Sequence, residues 1–158
     1  MIIFSVKTYT DLSKDELYAL LQLRSEVFVV EQDCVYQDID GKDQKSIHVL
    51  GFKNNVLVAY TRIFSPGDYF ENASIGRVIV KETERENKYG YDLMKASIDA
   101  VRHYFKANEI TISAQTYLKS FYVICIFTEV KEESGITIAA LYKSIRVLKT
   151  KIYLIQIP

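Results

Sequence analysis

The chain has 158 residues, enough for one domain with a good core and too few for two domains of ordinary size. Its 20 basic and 20 acidic residues give a formal net charge of zero, which argues against a broad electrostatic surface for nucleic acid. Cys34 and Cys125 lie far apart, and no apolar run approaches the length of a membrane span, so we expect a soluble cytoplasmic protein without a membrane partner.

The N-terminal part begins with a predicted strand and a predicted helix. Met1–Lys7 is β-prone. Ser13 and Glu16 form an S-x-x-E capping box ahead of apolar residues at helical spacing up to Phe28. Arg24 falls on the apolar face of this helix. Either its aliphatic part packs while its charged head reaches solvent, or its guanidinium is partly buried and paired with an acidic residue.

An acidic segment follows, from Val29 to Lys45. Asp38, Asp40 and Asp43 surround Gly41, but the glutamate that an EF-hand has at its twelfth position is missing. We expect either a solvated turn or a polar loop along one side of a binding cleft. In the second case its charge would suit a cationic substrate.

A hairpin is predicted next, from two β-prone segments joined by the sequence K-N-N. Ser46–Phe52 and Val56–Phe64 are the strands, and asparagine tolerates the positive φ that a tight turn requires. His48 begins the first strand, where a single histidine among apolar neighbours is more often structural than catalytic. With His103 the only other histidine, we predict no metal site.

The most informative stretch reads strand, charged turn and long helix. Ile75–Val80 is an apolar strand, Lys81–Gly90 is the turn, and the helix runs from about Tyr89 to Phe105. The first N–H groups of a helix have no partners within it, and they lie at the positive end of the helix dipole. The turn therefore predicts an anion-binding cradle, although it holds only one glycine.

The C-terminal part contains further predicted strands. Glu109–Gln115 alternates as a strand does, Tyr117–Tyr122 is a short helix, and Ser144–Pro158 is strongly β-prone. The apolar end of this tail is expected to pair with the sheet or with another chain, since an exposed apolar strand promotes aggregation. Strands joined by a crossover helix indicate a mixed α/β sheet.

Three separated segments resemble the ElaA-type branch of the GNAT N-acetyltransferases. They are Leu23–Asp43 followed by His48–Phe52, then Ile75–Met94 (I-G-R-V-I-V-K-E-T-E-R-E-N-K-Y-G-Y-D-L-M), and Ala114–Tyr122 (A-Q-T-Y-L-K-S-F-Y). The match covers roughly residues 5–122 and follows the family's order. It implies an α/β (α+β) fold with a mixed, mostly antiparallel central sheet flanked by helices. Residues 1–143 would form the GNAT domain, and residues 144–158 an atypical β-prone extension.

The resemblance implies acetyl-CoA as co-substrate, with no metal. The pantetheine arm would lie in a gap where the sheet splays apart, and the pyrophosphate on backbone N–H groups from Arg85 to Gly90, which need no particular side chain. Glu86 stands where the family usually has glycine, and beside pyrophosphate it would cost about 1 kcal/mol unless its side chain turns outward. The implied cofactor-binding residues are Val78, Ile79, Val80, Arg85, Glu86, Asn87, Lys88, Tyr89, Gly90, Tyr91, Gln115 and Leu118.

The same resemblance assigns the chemistry. Tyr122 would donate a proton to the coenzyme A thiolate, which suits tyrosine because its ordinary pKa of about 10 keeps it protonated at neutral pH. Backbone N–H near Ile79 could hold the oxyanion. The base that deprotonates the amine stays open between Glu31, Asp40 and a chain of waters. The acceptor side would be formed by Arg24, Asp40 and His48.

The sequence departs from the family after Tyr122. Ile126 replaces a glycine of the family pattern, and the tail beyond Ile136 is unlike the family. Two functions therefore compete: an N-acetyltransferase acting on a small-molecule or peptide amine by direct attack in a ternary complex, and a catalytically impaired relative that binds acyl-CoA or a protein partner. If the tail pairs with another chain, we expect a homodimer formed through the tail.

Overall fold

The structure is a computed structural model that describes residues 1–113, 120–122, 125, 146–148 and 152–156. Within this part of the chain, seven strands form one sheet in the order β1-β2-β3-β4-β5-β7-β6. The strands are β1 (Ile3–Thr8), β2 (Ile47–Lys53), β3 (Val56–Phe64), β4 (Ala73–Val80), β5 (Glu109–Ser113), β6 (Arg146–Leu148) and β7 (Ile152–Gln156).

The strand pairing confirms the predicted mixed and mostly antiparallel sheet. β1 to β4 pair in sequence order as antiparallel neighbours. β4 and β5 are parallel, which requires a crossover, and the long helix between them supplies it. β5 then pairs with β7, and β7 with β6, again antiparallel.

Local sequence signals account for the helices and the hairpin. α1 (Lys14–Ser25) begins at the predicted capping box, in which the Ser13 hydroxyl accepts from the Glu16 N–H at 3.1 Å. α1 continues as one π-helical segment, Glu26–Glu31, and α2 spans Tyr89–Phe105, as predicted. Between β2 and β3, Asn54 and Asn55 have positive φ angles of 51° and 63°, the conformation that the K-N-N sequence predicts.

The two helices pack on opposite faces of the sheet. α2 buries Leu93, Met94, Ile98 and Val101 against residues that include Val49, Ala59 and Ile63. α1 buries Leu20 and Leu23 against Leu50 and Tyr60. Neighbouring residues of one strand point to opposite faces, so the core has two layers, and β3 and β4 lie in the middle. In the described part of the chain, no helix is long and apolar enough to cross a bilayer.

The tail joins the sheet of its own chain. β7 pairs with β5 from Glu109↔Gln156 to Ser113↔Ile152. Of the two alternatives for this β-prone tail, pairing with the sheet is the one that the structure adopts. Of the predicted short helix Tyr117–Tyr122, residues 120–122 are described, and residues 126–145 lie outside the described part of the chain.

Candidate active site

The sheet opens where β4 separates from β5. The two strands pair from Ala73↔Ile110 to Ile75↔Ile112, and β4 then continues to Val80 without further pairs to β5 in the described residues. The family resemblance implies that the sheet splays apart at this place. A gap of this kind leaves one edge of β4 available to a ligand.

A cavity of about 360 Å³ occupies this gap. One wall is the end of β4, a second is the π-helical segment after α1, and a third is the turn before α2 together with an aromatic pair. The lining residues are Val27, Glu31, Gln32, Val78, Ile79, Val80, Arg85, Lys88, Gly90, Tyr91, Phe121 and Tyr122. Most of its surface is apolar, and its charged groups lie at the mouth.

The wall formed by β4 is shaped by a β-bulge. Tyr60 pairs with Ile79 and Arg62 pairs with Gly76, so one residue of β3 lies opposite two residues of β4, Arg77 and Val78. The bulged strand bends and twists at this point. The bend comes immediately before Val78, Ile79 and Val80, the β4 residues that line the cavity.

The turn predicted to cradle an anion lies before α2 and uses some of its own backbone donors. Glu82–Asn87 is a 3₁₀ helix, Lys88 is left-handed with a φ of 60°, and α2 starts at Tyr89 with no side-chain cap. The N–H groups of Lys88 and Tyr91 donate to carbonyls within the turn, at 3.1 and 3.0 Å. The uncapped helix start favours an anion, and Lys88 and Arg85 line the cavity beside it.

Two predicted site residues form an ion pair across the mouth. Arg85 donates from Nη2 to Glu31 Oε2 at 2.7 Å and from Nε to the carbonyl of Val80 at 3.1 Å. Both side chains are partly exposed, at 44% and 30%. The proposed base and the proposed pyrophosphate ligand therefore contact each other, although 54 residues separate them in sequence.

Tyr122 is buried in the cavity wall beside an aromatic residue that the sequence did not single out. The Phe121 ring contacts the Tyr122 ring edge-on, with centroids 5.0 Å apart, and the Tyr91 ring at a tilt, with centroids 5.1 Å apart. A Cβ on Gly90 would lie 3.2 Å from two ring carbons of Phe121. A side chain at Gly90 would therefore push this ring by a few tenths of an ångström, whereas the backbone does not demand glycine, since the φ angle of Gly90 is not positive.

Other predicted cofactor residues lie outside the cavity lining. Glu86 is exposed, as it must be if its carboxylate is to avoid a pyrophosphate. Asn87 is also exposed and donates to Glu84 Oε2 at 2.8 Å. Tyr89 lies near Lys53, whose ammonium is 5.9 Å from the ring centroid. Gln115 and Leu118 lie outside the described residues.

Two of the residues predicted for the acceptor side lie in the interior of the protein. Arg24 and His48 are fully buried, and neither lines the cavity. His48 Nδ1 shares a hydrogen bond of 2.8 Å with the Tyr60 hydroxyl, and burial lowers the pKa of His48. Both residues are surrounded by protein partners, so neither presents an atom to a substrate in this structure. Of the two readings of Arg24, the buried and paired one is the one that the structure shows.

The carboxylate of Asp40 is bound by an arginine of the protein itself. Both carboxylate oxygens accept from Arg62, at 2.8 and 2.7 Å. Burial opposes ionisation of Asp40, but the hydrogen bonds from Arg62 outweigh it and lower the pKa to about 2. A carboxylate with so low a pKa is a weak base at neutral pH. Of the two carboxylates weighed as base, Glu31 is the one that lines the cavity.

The acidic loop is held by three arginines rather than left open to a cation. In the described residues, Arg24 donates to Asp38 and Asp43, Arg62 to Asp40 and Asp43, and Arg77 to Asp38. Opposite charges in equal number neutralise one another in this network. The described residues contain no cluster of histidine, cysteine and acidic residues that could hold a metal ion.

The chain is similar to known acetyltransferases over most of its length. A model of the acetyltransferase (GNAT) domain matches residues 8–137. Protein ElaA of Escherichia coli strain K12 is 47% identical over 133 residues, 81% of this chain and 87% of that protein. The crystal structure of Escherichia coli ElaA matches with a TM-score of 0.73 at 46% identity, covering 77% of this chain and 84% of that one.

A second solved structure supports the same assignment. The crystal structure of an acyl-CoA N-acyltransferase from Pseudomonas aeruginosa matches with a TM-score of 0.70 at 36% identity, covering 76% of this chain and 82% of that one. The chain therefore belongs to the GNAT acetyltransferase family and is similar to ElaA over most of its length.

Proposed function

We propose that the protein transfers an acetyl group from acetyl-CoA to a primary amine, by direct attack in a ternary complex. The observation that carries this proposal is the cavity in the splayed sheet, with an uncapped helix start at one end and Tyr122 in its wall. A cavity of about 360 Å³ with a mostly apolar lining suits a pantetheine arm, which pairs through amides with backbone and otherwise makes apolar contacts.

The residues present fit this donor. Val78, Ile79 and Val80 supply a strand edge for the pantetheine amides. The start of α2, with Lys88 and Arg85, supplies N–H groups and positive charge for the pyrophosphate. Gly90 leaves the space that a side chain would take from Phe121. Acetyl-CoA supplies the reactive thioester, so the protein has to orient it and to move two protons.

Tyr122 and Glu31 are the proposed proton carriers. The hydroxyl of Tyr122 donates a proton to the leaving sulfur, and Glu31 accepts one from the substrate ammonium, directly or through water. In the ligand-free structure Glu31 is held by Arg85 at 2.7 Å. Glu31 can act as a base only when Arg85 releases it, and a pyrophosphate in the cradle would compete for the same guanidinium. The donor is therefore proposed to bind before the amine.

The acceptor is proposed to be a small-molecule or peptide amine. The acidic loop gives no support for a cationic substrate, because its aspartates are bound by arginines. Among the described residues Glu31 is the carboxylate on the cavity lining, and its charge attracts a single ammonium. A primary amine with an apolar neighbour fits this charge and the apolar wall.

Coenzyme A release tests this function. The purified protein is incubated with acetyl-CoA and a panel of alkylamines, amino-acid amides and short peptides, and free thiol is measured. We expect thiol release that requires both the protein and one class of amine, with acetylated amine formed in equal amount. Acetyl-CoA binding without thiol release for any amine would favour the alternative function, an acyl-CoA-binding relative that has lost catalysis.

A further inference from the structure

Arg77 adopts a backbone conformation that arginine rarely takes. Its φ angle is 54°, in the left-handed region, which costs a non-glycine residue about 1–2 kcal/mol. Gly76 is the adjacent residue and could occupy this region at almost no cost, yet its φ angle is not positive. The bulge thus places an arginine in a backbone conformation that glycine adopts at less cost. The side chain of Arg77 must compensate for the cost.

The guanidinium of Arg77 is tied to the acidic loop. Nε donates to Asp38 Oδ1 at 2.6 Å, and Nη2 donates to the Asp38 carbonyl at 3.3 Å. The group also lies over the ring of Phe28, 5.6 Å from its centroid. Contacts to both a carboxylate and a carbonyl fix the position and the orientation of the side chain.

Asp38 is itself rigidly held, so it can serve as an anchor. Arg24 Nε donates to its second carboxylate oxygen at 2.7 Å, and Arg24 Nη2 donates to its carbonyl at 2.8 Å. The side chain of Asp38 is 7% exposed and that of Arg24 is 0% exposed. A hydrogen-bonded pair so well shielded from water is held in one arrangement. Arg77 is therefore connected through Asp38 to the buried end of α1.

We propose that Arg77 is a positioning residue, which holds the bulge of β4 in register so that Val78, Ile79 and Val80 present their backbone to the acyl donor. The residue acts through the strand, since it does not line the cavity. It also couples the two sides of the site, because the loop bearing Asp38 follows the π-helical segment that carries Glu31. The inference rests on the proposed function, since it assigns the purpose of the bulge to acyl transfer.

Variants at Arg77 test the proposal, because kcat and the melting temperature are measured separately for each variant. Arg77→Gly leaves the left-handed backbone conformation favourable and removes the side chain that contacts Asp38. Misplacement of reacting groups by about 1 Å costs up to about a hundred-fold in rate, so we expect kcat to fall about ten- to a hundred-fold, with acetyl-CoA and the most active amine of the panel. Arg77→Lys keeps the charge but not both contacts to Asp38. Its kcat should therefore lie between that of the wild type and that of Arg77→Gly.

Lys106→Gly is the matched control. Lys106 also has a left-handed φ, of 51°, but it is exposed at the end of α2, away from the cavity. This change relieves the same backbone strain and should leave kcat and KM at the wild-type values. It shows what a left-handed glycine does by itself.

Two results would overturn the proposal. One is a wild-type kcat in Arg77→Gly, whether or not its melting temperature falls, since that would give Arg77 a structural role alone. If Arg77→Gly does not fold, a wild-type kcat in Arg77→Lys has the same meaning. A wild-type protein that releases no coenzyme A with any amine would overturn the proposed function as well, and that failure is seen before any variant is compared.

Discussion

Replacing Tyr122 with phenylalanine is expected to lower kcat by about a hundred- to ten-thousand-fold, the range that a positioned general acid contributes. The change removes the hydroxyl and keeps the ring that packs against Phe121. Acetyl-CoA binding should therefore be nearly unchanged. Steady-state kinetics together with a binding titration separate the two effects, because a loss confined to kcat indicates an interaction made in the transition state.

Tyr18→Phe provides a matched control for the loss of a tyrosine hydroxyl. Tyr18 lies on α1 and its side chain is exposed, so we expect wild-type kinetics. If Tyr122→Phe also turns over at the wild-type rate, Tyr122 is a packing residue and the proton reaches the sulfur from another group. The pH profile would then identify that group.

Replacing Arg24 with leucine is expected to destabilise the fold by about 3–5 kcal/mol, since it leaves buried carboxylates with fewer partners. Arg24 is fully buried and makes three hydrogen bonds, to both carboxylates that it contacts and to the Asp38 carbonyl. Desolvation makes such an arrangement costly to build, but removing one member leaves the charge of the others uncompensated. Urea denaturation gives the free energy of unfolding directly.

Lys7→Met is the matched control, which measures how much a partly exposed ion pair contributes to the free energy of unfolding. Lys7 donates to Glu16 at 2.7 Å, and both side chains are partly exposed, at 29% and 20%. An exposed pair contributes about 0–1 kcal/mol, so the loss should be small. A loss for Arg24→Leu as small as that for Lys7→Met would show that the network around the acidic loop adds little to stability.

Local patterns in the sequence were sufficient for the elements that build the fold. The capping box at Ser13, the paired asparagines of the hairpin and the wide apolar face of α2 each act over a few residues, so each can be read from a short window. The cavity was also partly predictable, because β4, the turn and α2 are consecutive. Val78, Ile79, Val80, Arg85 and Gly90 were predicted for the donor site and line the cavity.

Contacts between distant segments were not predictable in the same way. Arg24, Arg62 and Arg77 lie on α1, β3 and β4, and they meet aspartates 14 to 39 residues away in sequence. A run of aspartates alone looks like a cation site, and only the sheet register brings three arginines to it. Phe121 was missed for a related reason, since its contacts to Gly90 and Tyr91 depend on the gap between β4 and β5.

The melting temperature in a titration with acetyl-CoA tests the central claim, that the cavity in the splayed sheet binds an acyl-CoA. A ligand that binds only the folded state stabilises it by about 2.7 kcal/mol at a hundred times its Kd, so we predict a rise that grows with concentration. Gly90→Ala should weaken this rise, since the added Cβ pushes Phe121, while alanine in a helix is better than glycine by about 1 kcal/mol and leaves the ligand-free protein stable. A melting temperature that does not change at millimolar acetyl-CoA would contradict the account.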